Sequence, residues 1–179
     1  MASQKHAPDL LRCQRRRRAL RALAGLGALA ALQGCGFQLR QAPVFSFASI
    51  YVDAPGSALG AELQRQLRAS GLQVLTDAAA REKADLILQS LADQRERQVL
   101  GLNASGQVRE YRLHVRFRFR VRTPAGKDVL PDAEIVRQID QSYSETAALS
   151  KEAEAQMLFD NMQSDIVLQV MRRLSTVKP

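Results

Sequence analysis

Twelve consecutive residues, from Tyr111 to Arg122, alternate strictly between two kinds of side chain. The odd positions are Tyr, Leu, Val, Phe, Phe and Val, and the even positions are Arg, His, Arg, Arg, Arg and Arg. Successive side chains of a β-strand point to opposite faces, whereas a helix would scatter the arginines around its circumference. The segment is therefore predicted to be a β-strand with one apolar face and one cationic face.

The flanking segments predict an α+β fold. Residues 58–69, with Ser57 as cap, predict a helix because leucines recur every four residues, and a wide apolar stripe predicts a last helix from Ser150 onward. Further strands are predicted over residues 44–53, 84–99 and 134–146, with a short extended segment at 72–75. The order β-α-β-β-β-α predicts a single domain, in which a roughly four-stranded, mainly antiparallel sheet carries two helices on one face. Glu134 and Asp140 are predicted to face arginines across that sheet.

The positive charge is concentrated at the N-terminus. Of the formal net charge of +8, residues 1–34 carry +6 and residues 35–179 carry only +2. Arg15–Arg18 precede Ala22–Leu32, a run of Ala, Leu and Gly that would reach only about 16 Å as a helix. A bilayer core is about 30 Å thick, so a secretory signal fits this segment better than a permanent span. We expect residues 1–34 to be a signal peptide that is removed.

Leu32-Gln33-Gly34-Cys35 resembles the lipobox of bacterial lipoproteins. The resemblance implies cleavage before Cys35, which then carries a thioether-linked diacylglycerol and an N-acyl chain. Three acyl chains on one residue would anchor firmly, whereas one chain binds only marginally. Gly36 stands where that group of proteins uses Asp for inner-membrane retention, which implies transport to the outer membrane. We expect residues 35–43 to form the lipidated tether, with the domain on the periplasmic side.

The mature chain contains little that is typical of a catalytic site. His114 is its one histidine and sits among arginines, which favours a surface role. No zinc-ligand spacing, Walker A loop, G-x-S-x-G elbow or dinucleotide-binding glycine pattern is present in the mature sequence. Glu152 and Glu154 are two residues apart on a helix, so they do not face each other, and we interpret them as first-turn partners of the helix dipole. We expect neither an enzyme nor a cofactor.

The arginine-rich strand face has three possible roles. Guanidinium groups bind phosphates through planar, bidentate hydrogen bonds, so the face could bind a phosphorylated glycolipid. Alternatively it is a solvated face neutralised by Glu110, Glu134 and Asp140, or a surface that docks into a polar protein cavity. Nucleic acid fits poorly, because the chain is predicted to be exported and few aromatic residues accompany the arginines.

Three further motifs identify a family. Cys35-Gly36-Phe37-Gln38-Leu39-Arg40 resembles the C-G-[FW]-x-L-R start of the lipopolysaccharide-assembly lipoproteins of the LptE family. Gly106-Gln107 leading to Glu110-Tyr111, and Ala148–Glu152 at the start of the last helix, are also similar to that family, as is the β-α-β-β-β-α order. The similarity covers most of residues 35–175, within an LptE-like domain expected over 44–176.

The resemblance implies a non-catalytic partner of an outer-membrane barrel. LptE-like proteins sit as a plug inside the β-barrel LptD, assist its assembly, and help to move lipopolysaccharide to the outer leaflet. The resemblance also implies lipopolysaccharide binding by basic residues, and Lys151 is the best positional match. As hypotheses we add the basic residues of the predicted strand and its approach: Arg109, Arg112, Arg116, Arg118 and Arg120.

A rival interpretation keeps the membrane anchor and drops the ligand. In it the chain is a structural outer-membrane lipoprotein, such as a pilotin-like chaperone for a secretin. A cytoplasmic nucleic-acid binder is a more distant alternative, because it ignores the signal peptide and the lipobox.

Overall fold

The computed structural model describes residues 43–178, which form five strands and two α-helices. The predicted signal peptide, the acylated Cys35 and the tether up to residue 42 lie outside the described residues. In chain order the elements are β1 (Ser49–Asp53), α1 (Ala58–Ala69), β2 (Gln73–Leu75), β3 (Leu86–Leu102), β4 (Val108–Arg122), β5 (Asp128–Ser142) and α2 (Ala148–Ser175). Short 3-10 helices at Ala78–Lys83 and Glu145–Ala147 precede β3 and α2.

The strands form one sheet in the order β2-β1-β3-β4-β5. The short strand β1 pairs parallel with β2 and β3, while the long strands β3, β4 and β5 form an antiparallel meander. The predicted α+β class and the mainly antiparallel sheet are confirmed. The structure adds a fifth strand, β2, where the sequence predicted only an extended segment. With three residues it lies at the sheet edge, and short edge strands leave few unpaired backbone groups.

The predicted limits of several strands differ from the structure, including β3, which was predicted over 84–99 and spans Leu86–Leu102. The predicted strand 44–53 begins at Ser49, because backbone pairing with Gln73 starts there, and the Asp85 carboxylate accepts the N–H groups of Ala48 and Ser49. The predicted strand 134–146 begins at Asp128, directly after the turn, and ends at Ser142. Pro131 argued against a strand there, but it lies where the pairing of β4 with β5 shifts register between Phe119 and Val121, so it has no register partner that needs its missing N–H.

One face of the sheet and both helices enclose the core. Leu113, Phe117 and Phe119 on the odd side of β4 are fully buried, with Leu86 and Leu88 of β3 beside them. Burying such a side chain stabilises a fold by roughly 1.5–3 kcal/mol. The predicted alternation of β4 is thus confirmed, and it fixes which side of the strand faces the helices.

Helix α1 agrees with its prediction. Ser57 Oγ accepts the Gly60 N–H at 2.8 Å, and Leu59, Leu63 and Leu67 are buried. Gly60 permits a close approach, because an added Cβ would lie 2.7 Å from the Cβ of Ala54.

Helix α2 begins at Ala148, so the predicted start at Ser150 was two residues late. Ser150 does not cap the helix. Its hydroxyl donates to the Ala147 carbonyl within the first turn. The buried Gln141 of β5 instead donates to the Lys151 carbonyl at 2.9 Å, which fixes the first turn of α2 to the sheet.

The chain direction defines two ends of the domain. The β3–β4 turn (103–107) and the start of α2 form the tip end. The segment 43–48, the β4–β5 turn (123–127) and the last turns of both helices form the entry end, where the described chain begins. Helix α2 alone spans about 42 Å between the two ends at 1.5 Å per residue.

Candidate functional site

The side of the sheet away from the helices is called the open face here. It carries the even-numbered side chains of β4 and their paired neighbours on β3 and β5. Its members are Gln94, Glu96 and Gln98 of β3, Arg112, His114, Arg116, Arg118 and Arg120 of β4, and Glu134, Val136, Gln138 and Asp140 of β5.

Arginines of the open face bind carboxylates of β5. Arg112 Nε and Nη2 donate to the two oxygens of Asp140 at 2.8 and 2.9 Å. Arg116 donates from Nη2 and Nε to Glu134 Oε2 at 2.8 and 3.0 Å. The prediction that Glu134 and Asp140 face arginines is confirmed. Carboxylates thus take up hydrogen-bond donors that a phosphate would need.

Arg118 and Arg120 are also engaged. Arg118 Nε lies 3.3 Å from Asp132 Oδ1 as an ion pair, although the geometry does not make a hydrogen bond. Arg120 donates twice to Gln89 Oε1, at 2.9 and 2.8 Å. His114 lies between them and Arg112 along the strand, half-buried, and its Nδ1 is buried without a hydrogen-bond partner.

The contact between Arg112 and Asp140 shifts the pKa of both groups. The hydrogen bonds from Arg112 lower the pKa of Asp140, and the same contact raises the pKa of Arg112. Both groups therefore stay charged at neutral pH. With Glu96 and Glu134 on the open face as well, and Asp132 paired with Arg118 beside it, the face is polar and close to balanced in charge, not a concentrated cationic site.

Two other predicted residues, Arg109 and Lys151, lie near the tip end. Arg109 is exposed, and its carbonyl accepts the Tyr143 N–H at 2.8 Å. Lys151 Nζ donates to Ser142 Oγ at 3.2 Å and to Glu154 at 2.8 Å. Because Ser142 and Tyr143 are adjacent in the chain, Arg109 and Lys151 lie beside the same stretch of backbone. Among the described residues, Arg109 forms no ion pair.

The six basic residues predicted to bind ligand do not form one site. Arg112 and Arg120 are eight residues apart on one strand, which separates them by about 26 Å. Arg109 has the odd parity of the helix side, whereas Arg112, Arg116, Arg118 and Arg120 lie on the open face. The structure therefore divides them into a tip-end pair, Arg109 with Lys151, and a row of paired arginines.

Sequence analysis missed two arginines on the other side of β3. The Arg95 guanidinium lies over the Phe159 ring, 4.0 Å from its centroid, and Arg97 lies 5.1 Å from the centroid of the Tyr111 ring. Arg97 also donates to both oxygens of Glu152, at 2.8 and 3.1 Å. These side chains cover the edge of the core between β3 and α2. Their strand is polar at most positions from Asp93 onward, so no apolar alternation indicated this arrangement.

The interpretation of Glu152 and Glu154 needs correction. Because α2 begins at Ala148, both lie beyond the first turn, where the helix dipole acts most strongly. Each instead has its own cation: Arg97 lowers the pKa of Glu152, and Lys151 lowers the pKa of Glu154. A general acid needs a raised pKa near neutrality, so these shifts are opposite to those of a catalytic acid.

Residues 43–178 lack two features, a metal-ligand cluster and a membrane-spanning helix. Within these residues no three His, Cys, Asp or Glu side chains are grouped to hold a metal ion. None of the helices described is long and apolar enough to cross a bilayer.

Comparison with known proteins identifies relatives of this domain. The family model described as LptE, lipopolysaccharide-assembly, matches residues 47–174. The solution structure of an uncharacterized lipoprotein B from Nitrosomonas europaea is 32% identical, with a TM-score of 0.67 over 78% of this chain and 90% of that one. No curated protein matches this sequence.

Two more distant crystal structures share the fold. The rare lipoprotein B from Shewanella oneidensis is 22% identical, with a TM-score of 0.56, and the match covers 72% of this chain and 96% of that one. A minor lipoprotein from Acinetobacter baumannii is 20% identical, with a TM-score of 0.57 over 76% and 98% of the two chains.

Proposed function

This chain belongs to the LptE family of lipopolysaccharide-assembly lipoproteins, and from that premise we propose that it docks as a plug inside an LptD-type outer-membrane barrel. There it assists assembly of the barrel and takes part in lipopolysaccharide transport to the outer leaflet. The observation that carries the proposal is the paired open face, together with the family match.

The open face suits a polar protein cavity. Its charges already neutralise one another through contacts such as Arg112 with Asp140 and Arg116 with Glu134. Burying an unpaired charge is costly, whereas a paired and hydrogen-bonded one is tolerated. The lumen of a large outer-membrane barrel is lined by polar side chains. We therefore propose that the open face meets the lumen wall.

Lipopolysaccharide contact is proposed first for the tip-end pair. Arg109 is exposed, and Lys151 can exchange Glu154 for a phosphate without disturbing the core. Both are basic residues beside the same stretch of backbone, Ser142 and Tyr143, and guanidinium and ammonium groups both bind phosphate. The paired arginines Arg112, Arg116, Arg118 and Arg120 make a secondary contact, because a phosphate there must displace a carboxylate or amide partner.

The anchor completes the proposal. Residues 1–34 are removed as a signal peptide, acylated Cys35 and the tether hold the domain at the periplasmic side of the outer membrane, and no covalent step or cofactor is involved. Anchoring raises the local concentration of the domain at the barrel, which favours docking without any additional contact.

Co-purification tests the barrel partner. The tagged full-length chain is expressed with its own signal, extracted from outer membranes in mild detergent, and purified, and co-purifying proteins are identified by mass spectrometry. We expect an LptD-type barrel in stoichiometric amount. A secretin, or no barrel at all, would contradict the proposal and favour the pilotin-like alternative.

Capture of lipopolysaccharide tests the tip-end pair. Immobilised wild-type protein is compared with Arg109→Glu and Lys151→Glu, and with Arg65→Glu as a matched control, since Arg65 is an exposed arginine on α1. We expect each tip-end reversal to reduce capture about tenfold, as the loss of a charge-assisted contact worth roughly 1.4 kcal/mol would. The control should be unchanged, and equal capture by all four proteins would contradict the assignment.

A further inference from the structure

The entry end carries an apolar groove that the proposed function does not use. It has a volume of about 430 Å³, and it lies between the segment that precedes β1 and the turn after α1. Val44 on its rim is 85% exposed, and the rings of Phe45 and Phe47 lie 5.4 Å apart. Its lining is formed by Pro43, Val44, Phe45, Phe47, Ala48, Ser70, Gly71 and Leu72.

The length of the tether limits how far this groove can lie from the bilayer surface. Pro43 is eight positions after Cys35 in the chain, so even a fully extended connection reaches no more than roughly 29 Å. If Cys35 is acylated, as the proposed function requires, the groove is held within that distance of the bilayer surface. The tip end also exposes apolar residues, such as Leu102, but α2 separates the two ends by about 42 Å.

The entry end also carries several exposed cations that form no ion pair. The two helices run parallel to each other, so both C-terminal turns lie at this end. Glu62 of α1 joins them by accepting hydrogen bonds from Gln163 and Ser164 of α2. Among the exposed cations at this end, Arg68, Lys127, Arg172 and Lys178 have no carboxylate within 4 Å among the described residues.

The entry end has fewer carboxylates than cations, and one of these carboxylates already accepts hydrogen bonds from the backbone. Asp85 Oδ2 accepts the backbone N–H groups of Ala48 and Ser49, both at 2.9 Å, which lowers the pKa of Asp85. Glu82 and Asp128 are the others placed here by the chain course. An excess of exposed cations around an apolar groove is complementary to anionic headgroups above acyl chains.

We propose that the entry end is a membrane-contact surface, in which the exposed Val44 inserts into the interface of the anchoring leaflet while Arg68, Lys127, Arg172 and Lys178 bind anionic phospholipid headgroups. The contact rests on the proposed acylation of Cys35, and it adds a defined orientation to what would otherwise be a loose tether.

Depth measurement on the acylated full chain tests this contact. After acylation of Cys35 the mature protein has no free thiol, so Val44→Cys and Leu102→Cys can each be labelled with a single fluorophore. Both sites are exposed, and Leu102 at the tip end is the matched control. The proteins are reconstituted in vesicles of phosphatidylethanolamine and phosphatidylglycerol, and quenching by aqueous iodide is compared with quenching by nitroxide-labelled phospholipid.

We expect the label at position 44 to be quenched about fivefold less by iodide than the label at 102, and strongly by the nitroxide lipid, as for a group 5–10 Å below the headgroups. Equal iodide quenching at the two sites would overturn the contact. Shielding from iodide without nitroxide quenching would also overturn it, because protein would then cover the groove.

Charge reversal tests the electrostatic half of the proposal. Arg172→Glu combined with Lys178→Glu should reduce nitroxide quenching at position 44 in anionic vesicles, and should have no effect in phosphatidylcholine vesicles. An unchanged signal would refute the role of the cations. Intact mass tests the anchor separately: an acylated chain with an aqueous label at 44 refutes only this contact, whereas an unacylated chain refutes the proposed function and this inference with it.

Discussion

The two faces of β4 are formed by the same fifteen residues but have different roles. On the helix side, Leu113, Phe117 and Phe119 are fully buried in a continuous core. On the open face, Arg112 and Arg116 lie partly exposed against carboxylates of the neighbouring strand. Each buried core side chain stabilises the fold by roughly 1.5–3 kcal/mol, whereas an exposed ion pair contributes little to the free energy of folding.

Stability alone does not explain the arginines of the open face. Small polar residues could occupy an exposed sheet face at little cost in stability, so the paired charges are better explained by a surface that another molecule meets. The prediction is that substitutions on one face affect folding, and that substitutions on the other affect binding.

The largest effect is expected on the helix side. Phe117→Ala removes a fully buried ring and should lower the free energy of unfolding by about 3–5 kcal/mol, measured by chemical denaturation. Arg116→Ala, one position away and on the open face, is the control and should unfold near the wild-type midpoint. Similar losses from both substitutions would remove the distinction between the faces.

A smaller effect is expected when charges on the open face are exchanged. Asp140→Arg alone places two cations against each other and should weaken co-purification of the barrel, with little change in the denaturation midpoint. Adding Arg112→Asp restores an ion pair in reverse and should recover most of the binding. If the double substitution binds no better than the single one, the pairing is not what matters for docking.

The smallest effect is a local change in titration. Because Arg112 lowers the folded pKa of Asp140, this contact stabilises the fold above the ordinary aspartate value of 3.8 and is lost as pH falls through the lower folded pKa. Titration of the Asp140 carboxyl by NMR should give a midpoint below 3.8 in the wild type. In Arg112→Gln the midpoint should move back towards 3.8, and an unmoved midpoint would show that Arg112 is not the cause.

The sequence was most informative where burial alternates regularly. Strict period two in β4 predicted the strand and both of its faces, and Leu59, Leu63 and Leu67 predicted α1, because one side of each element is buried by the core. Strand limits were predicted less well where tertiary contacts decide them. Ser49 begins β1 through its pairing with Gln73, a partner that no local pattern identifies.

The candidate site was only partly predictable for the same reason. The arginine row could be found from alternation, but its division into a paired face and a tip-end pair depends on which residues of β5 and α2 fold against it. The residues around Arg95 and Arg97 do not alternate between apolar and polar, so no sequence pattern indicated that these arginines lie over the rings of Phe159 and Tyr111.

Site-specific photo-crosslinking tests the central claim, that the open face meets the barrel wall. Val136 on the open face and Leu168 on α2 are matched in exposure, at 39% and 37%. A photoreactive amino acid replaces each in turn in the anchored chain, and adducts with the co-purified barrel are measured after irradiation. The account predicts a clearly higher barrel adduct yield from position 136 than from 168. A yield at 136 no higher than at 168, in a complex that still co-purifies, would contradict it.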